Sequence, residues 1–393
     1  MYDFQSVVER RGTTSIKWHM IEDDMGVGSE DVIAMSVADM EFKPAPEIVE
    51  ALVEAAQHDI FGYDYATDGY FRALTAWMSR RHNWDIDPAW VSLSDGVMPA
   101  VNTALRAVTH PGDKVILQGP VYYPFTAAAE HNGLTILDNR LILGDDGHYV
   151  MDFDDLEAKA SDPRCTALML CNPHNPIGKV LTREEMLRLS DLAAKYDVRI
   201  FSDEIHAPFV YQGHTHVPFA SINRQTAMQA FTSTSASKSF NIPGTKCAQV
   251  ILTNPDDLEL WMRNAEWSEH QTATIGAIAT TAAYDGGAAW FEGVMAYIER
   301  NIALVNEQMR TRFAKVRYVE PQGTYIAWLD FSPLGIGDPA NYFFKKANVA
   351  LTDGRECGEV GRGCVRMNFA MPYPLLEECF DRMAAALEAD GLL

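Results

Sequence analysis

From Pro46 onward the chain alternates between two periodicities. Segments such as PEIVEALVEAA (46–56) and VMPAVNTALRAV (97–108) place apolar side chains at intervals of three and four, the spacing that gives a helix one apolar face. The same spacing predicts helices at 69–81, in PFTAAAEH (124–131) and in REEMLRLSDLAAKY (183–196). Between them stand short runs that are apolar almost throughout: VSLS (91–94), KVILQ (114–118), LTILD (134–138), TALMLC (166–171) and RIFSD (199–203). A strand with no polar face must be covered on both sides. Strands of this kind separated by helices therefore predict a parallel sheet between helical layers.

After Asn254 the pattern changes. Long helical stretches at 256–267 and 290–312 lead to short strands in KVRYVE, TYIAWLDF and GCVRMNF, and a helix at 375–387 follows. The predicted class is α/β: a large, doubly wound, mostly parallel sheet domain over 46–285 and a smaller α+β domain from 1–45 and 286–393. The first 45 residues have no core pattern of their own and are expected to pack on the smaller unit. A length of 393 residues agrees with two units, since single cores stop growing near ~250–300 residues.

Composition narrows the function. Acidic side chains number 54 and basic ones 32, a formal charge of −22, which disfavours broad binding to nucleic acid or anionic membranes. Six cysteines are scattered without CxxC pairs and read as reduced, buried thiols. MYDFQSVVERRGTT has no leader pattern, and no apolar run approaches the ~20 residues of a membrane span, so a cytoplasmic protein is expected. His214 and His216 form an HxH pair, but a loop before Pro218 explains them more simply and no metal is expected.

The motifs GxxxxGK[ST], HExxH and GxSxG are absent, and no GxGxxG stands between a strand and a helix. One strand-to-helix turn, SLSDGVMPAV (92–101), could bind an anion through the amides of Gly96, Val97 and Met98, or could be an ordinary glycine turn. Among the 11 lysines, Lys159, Lys195, Lys315, Lys345 and Lys346 suit solvated helix faces. Lys238 differs. It lies in FTSTSASKSFNIPGTK (231–246), among small hydroxyl residues with no acid near in sequence. A lysine in such a partly dehydrated site can have a lowered pKa and react as an amine, although a lysine in a Ser/Thr-rich loop is also consistent. Asp203 ends the strand RIFSD, while Asn172 and Asn175 follow TALMLC. Both groups fall where a parallel sheet presents ligand contacts, or could be caps and turn formers.

Taken in order, SDGVMPAV, GPVYYPF, NPHNPIGK, SDEIHAPFVY, STSASKSFNIPGTK and GCVRMNFA resemble the fold-type I pyridoxal-phosphate enzymes of the class I/II aminotransferase superfamily. Within them, VADMEFKPAPEI, FGYDY, SDEIH and HVPFASI are similar to the MalY/PatB group of cystathionine and cysteine-S-conjugate β-lyases. The resemblance covers essentially the whole chain. It implies pyridoxal 5'-phosphate as cofactor, with Lys238 as its covalent partner and catalytic base and Asp203 at the pyridine nitrogen. It further implies Asn175 at the phenolic oxygen with His206 nearby, and Tyr122, or the adjacent Tyr123, stacked on the ring as a second catalytic group. Gly96, Val97, Ser235, Ser237 and Lys246 would surround the phosphate, with Tyr63 reaching that of a neighbouring subunit. Arg366 would clamp the substrate carboxylate, with Asp39 and Asn175 also at the substrate.

Three positions depart from the pattern. Ser36 replaces a usual Trp, Lys246 replaces a phosphate-side arginine, and His206 stands where aspartate-type relatives have tyrosine. The implied function is elimination of a thiol from a sulfur amino acid, giving pyruvate and ammonia, by a homodimer with shared sites. An aminotransferase using the same residues, and a regulatory protein that keeps the fold for protein contacts, are the rival readings.

Overall fold

The computed structural model describes residues 2–25, 31–58, 60–62, 65–145, 147–265 and 272–393. Tyr63 and residue 267, the expected end of one helix, lie outside the described residues.

Seven strands form the central sheet, in the order Val91–Ser94, Ala248–Ile251, Ala230–Thr234, Arg199–Asp203, Cys165–Cys171, Lys114–Leu117 and Thr135–Asp138. The five from Ala230–Thr234 to Thr135–Asp138 run parallel. Ala248–Ile251 alone is antiparallel to both neighbours. Register pairs Cys171 with Asp203 and Asp203 with Ser233, so the central strands end level at one edge of the sheet.

Side-chain alternation explains why these strands are apolar throughout. Val115, Leu117, Ala167, Met169, Phe201 and Phe231 pack on one face with Val97, Val101, Ala104 and Leu105 of the helix Val97–Val108. Ile116, Leu168, Leu170, Ile200 and Ala230 face the other way, into a core that includes Met186 and Leu189 of the helix Arg183–Tyr196. Both faces are dry, and each large aliphatic side chain so buried contributes about 1.5–3 kcal/mol. The helix Arg183–Tyr196 is bounded by local chemistry: Thr182 and Glu185 form a capping box, and Asp197 ends it in the left-handed region at φ 57°.

A four-stranded antiparallel sheet follows, ordered Arg317–Tyr318, Ile326–Asp330, Cys364–Asn368, Thr352–Asp353. The helices Ala288–Thr311 and Tyr373–Ala389 accompany it, close to the stretches expected from sequence. The N-terminal segment bonds to residues on both sides. Ile33–Ala34 pairs with Val349–Ala350, and Asn368 Nδ2 donates to Val37 O and Asp39 O. On the other side Asn241 Nδ2 donates to Met40 O and Phe42 O. Residues 35–42 thus form a strap joining the small sheet to the connection between the strands Ala230–Thr234 and Ala248–Ile251 of the large one. No helix among the described residues is long and apolar enough to cross a membrane.

Candidate active site

The level strand ends open into a cavity of about 530 Å³. A second cavity of about 170 Å³ adjoins it, and Ala38, Tyr122 and Lys238 line both. Convergence at the carboxyl edge follows from the parallel topology, which delivers every strand-to-helix connection to the same side.

Lys238 lies in the short helix Ala236–Ser239, directly after the strand Ala230–Thr234. Its Nζ donates to Ala38 O at 2.6 Å. Burial pulls the amine down to about 8, with Arg366 adding to the fall while Asp39 and Asp203 oppose it. A useful fraction is therefore the neutral, nucleophilic form near neutral pH. Asp203 ends its strand and is 4% exposed. Its Oδ1 accepts from Ile205 N at 3.0 Å, yet burial still pushes the carboxyl up to about 7 against that amide and the Lys238 charge. Such a carboxyl favours a cationic partner.

His206 is buried, and burial, reinforced by Lys238 and Arg366, pushes it down to about 3. The ring is neutral, and its Nδ1 is buried without a hydrogen-bond partner. Tyr122 precedes the helix Tyr123–His131, and burial, with Tyr123 adding, pushes its phenol up to about 12. Of the two adjacent tyrosines, Tyr122 lines the larger cavity, whereas Tyr123 is 48% exposed and reaches only the smaller.

Asn175 comes from the loop after Cys165–Cys171 and accepts from Arg366 Nη1 at 3.5 Å. Arg366 is supplied by the small sheet and is 4% exposed. Its Nη2 donates to Ser36 O at 3.4 Å and Thr352 Oγ1 at 3.3 Å. All three bonds are longer than the ~2.7–2.9 Å of a charge-assisted pair, so a carboxylate would compete well for this guanidinium.

Gly96 and Val97 line the cavity where the helix Val97–Val108 begins. No side chain caps this start and no acid lies in its first turn, which leaves amides and the positive end of the helix dipole for an anion. Ser237 and Lys246 line the same cavity. A helix start without a side-chain cap, a buried carboxyl pushed up to about 7 and an amine pulled down to about 8 therefore share one space, with Asp95 also in its lining.

The Aminotransferase class I and II family model matches residues 30–383. The chain belongs to the class I and II aminotransferase family. Cystathionine β-lyase PatB of Bacillus subtilis (strain 168) is 38% identical over 390 residues, covering 98% of this chain and 100% of that protein. Protein MalY of Escherichia coli (strain K12) is 33% identical over 394 residues, covering 99% and 100%. The crystal structure of cystalysin from Treponema denticola, which contains a pyridoxal 5'-phosphate cofactor, matches with a TM-score of 0.95 at 34% identity, over 99% of each chain. The α/β fold expected from the sequence is thus the fold of these relatives.

Two expected contacts of this family member lie away from the cavity lining. Ser235 Oγ donates to Cys247 O at 2.6 Å and accepts from Ser237 N at 3.0 Å, so its hydroxyl caps the lysine-bearing helix. Asp39 is turned towards Arg10 and Lys17, at 2.6 and 2.8 Å. The HxH pair is split: His214 is exposed, whereas His216 is buried with Nε2 3.1 Å from Glu204 Oε2. Among the described residues no group of three or more His, Cys, Asp or Glu side chains is placed to hold a metal.

Sequence reasoning missed Ala38, whose carbonyl receives Lys238, and Tyr325, whose hydroxyl donates to that carbonyl at 3.0 Å. It also missed Lys17, which is wholly buried. A backbone acceptor leaves no signature in a sequence. Lys17 had one weak signal, its place among only 11 lysines.

Proposed function

We propose that the protein is a pyridoxal-phosphate-dependent C–S β-lyase that releases a thiol from cystathionine or a related cysteine S-conjugate, leaving pyruvate and ammonia. The observation that carries this reading is the shared cavity of Lys238, held down to about 8, and Asp203, pushed up to about 7, with Arg366 beside it. The full-length likeness to a protein named cystathionine β-lyase supports the choice of reaction.

The residues present suit the cofactor. Asp203 would pair with the ring nitrogen, which supplies the cation a buried carboxyl favours, and the unpartnered Nδ1 of His206 leaves a polar group to satisfy. Asn175 would meet the phenolic oxygen and Tyr122 the ring face. The amides of Gly96 and Val97, with Ser237 and Lys246, would hold the phosphate, and Lys238 would bind the aldehyde carbon. We assign Ser235 to capping the Lys238 helix and Asp39 to the charge balance around it, rather than to direct contact. When bound, the cofactor supplies an electron sink for the pair left at the substrate Cα.

The chain supplies the rest. The Arg366 fork fixes the substrate carboxylate and so orients the Cα bond to be broken. Lys238 Nζ takes the α-proton, for which an amine pulled down towards neutrality is well matched. Tyr122 keeps its phenolic proton near neutral pH and stands between the two cavities, able to donate to departing sulfur. The smaller cavity, with Met20, Ile21, Val37 and Leu351, offers apolar walls to the leaving group.

We also propose a cytoplasmic homodimer, in which 46–285 forms one unit and 1–45 with 286–393 the other. Gly287, between the helices Thr274–Gly286 and Ala288–Thr311, lies next to that boundary. The reaction is tested with cystathionine in the absence of any keto acid. Pyruvate and free thiol are expected, and both should vanish in Lys238→Ala together with the visible absorbance of the bound cofactor. Turnover that requires a keto acid would instead make the protein an aminotransferase.

A further inference from the structure

Lys17 is wholly buried, in the helix Ile16–Met25. Its Nζ lies 2.8 Å from Asp39 Oδ1 and 2.5 Å from Glu41 Oε1, and it donates to Asp39 O at 3.2 Å. Arg10 reaches the same two acids from the more exposed side, at 2.6 Å from Asp39 Oδ2 and 3.0 Å from Glu41 Oε1. Two cations and two anions thus form a closed, neutral group, without which a buried ammonium would cost several kcal/mol.

This group grips the strap one residue away from the working amine. Ala38 O accepts from Lys238 Nζ at 2.6 Å and from Tyr325 OH at 3.0 Å. The carbonyls on either side, Val37 O and Asp39 O, accept from Asn368 Nδ2 at 2.8 and 2.7 Å. Three consecutive carbonyls are therefore fixed, and the side chain of Asp39 is held by cations on both sides. We propose that Lys17 is a positioning residue of the active site, holding the strap at the Ala38 carbonyl and balancing the charge of Asp39 beside Lys238 without touching substrate.

The proposal rests on Lys238 as the working amine, not on the lyase reaction. The charges acting on Lys238 make it testable. Asp39 and Asp203 favour its ammonium form, Arg366 and Lys17 disfavour it, and burial disfavours it most. His206 is neutral, and Tyr325 acts through the shared carbonyl. Lys17→Met removes a cation while Arg10 keeps Asp39 ionised, so the Lys238 amine should titrate higher. Asp39→Asn removes an anion, so it should titrate lower. A general loosening of the strap would move both variants the same way.

The measurement is competitive acetylation of Lys238 across pH in the full-length, cofactor-stripped protein, read by peptide mass spectrometry. Expected are midpoint shifts of about half a unit or more, upward in Lys17→Met and downward in Asp39→Asn. Unmoved midpoints, or shifts of one sign in both, overturn the proposal. If Lys17→Met does not fold, Lys17→Gln takes its place: an upward shift supports the proposal, and an unmoved or lowered midpoint overturns it. Loss of cofactor absorbance in Lys238→Ala tests the cofactor assignment separately, so the two readings can fail independently.

Discussion

Asp203 pairs a useful charge with an unfavourable place. One amide, from Ile205, supports its carboxylate, and burial still pushes it up to about 7 from an ordinary 3.8. In the folded, cofactor-free chain the group holds its proton to higher pH than in the unfolded chain. Between those two values the native state binds more protons, so this residue lowers stability as pH rises, and the effect levels off above about 7. Asp203→Asn should therefore stabilise the cofactor-free protein relative to the parent. The advantage should grow by about 2 kcal/mol from roughly pH 5.5 to pH 7 and then stay constant, as read from urea midpoints. An advantage independent of pH would mean that Asp203 is already ionised in the fold. Asp203 and Asn175 were legible because they end or follow a recognisable strand, where a parallel sheet must place its ligands, whereas Lys238 was singled out by its uncharged, hydroxyl-rich neighbours. The turning of Asp39 towards Lys17 and Arg10 was not legible, since those partners lie 22 and 29 residues away and meet only in the folded chain.

The strap at 35–42 shows the same division at the level of elements. It has no regular structure and no periodicity, and it depends on side chains from both parts of the chain. Asn368 Nδ2 satisfies two of its carbonyls, while Asn368 Oδ1 accepts from Ala370 N at 3.0 Å. Asn368→Ala would leave three buried polar groups without that partner. A loss of about 2–4 kcal/mol is expected, seen as a lower urea midpoint with an unchanged slope. The strands Ala230–Thr234 and Ala248–Ile251 were also harder to read than the others. Their sequences AFTST and AQVI carry hydroxyl and amide side chains, yet every residue in both is buried. Gln249 finds partners inside the sheet region in Tyr70 and Tyr284, whereas Thr232 Oγ1 is buried without a hydrogen-bond partner. Continuous apolarity reveals a covered strand only when the cover itself is apolar.

At the scale of the molecule, the charge of −22 must be reconciled with a site built to hold a phosphate and a carboxylate. Arg366, Lys238 and Lys246 supply local positive charge at the two adjoining cavities, so the excess acid describes the exterior. The same exterior bears on the proposed dimer. The helix Pro46–His58 buries Ile48 and Ala55 but leaves Val49 and Val53, one turn apart, 45% and 50% exposed. Just beyond it Ile60 is 95% and Phe61 54% exposed. Apolar side chains clustered on one exposed stretch are expected to be covered by a partner, and here a second copy of the chain is the occupant proposed. Sedimentation should then give twice the chain mass of 43.8 kDa, and Val53→Asp should shift the population towards the single chain. A carboxylate buried in that contact costs several kcal/mol, and each 1.4 kcal/mol is about tenfold in the dissociation constant. Two chains of like charge also repel, so raising salt should tighten the parent dimer by screening. A parent protein that sediments at 43.8 kDa at all salt concentrations would overturn the dimer and leave the apolar stretch to another partner.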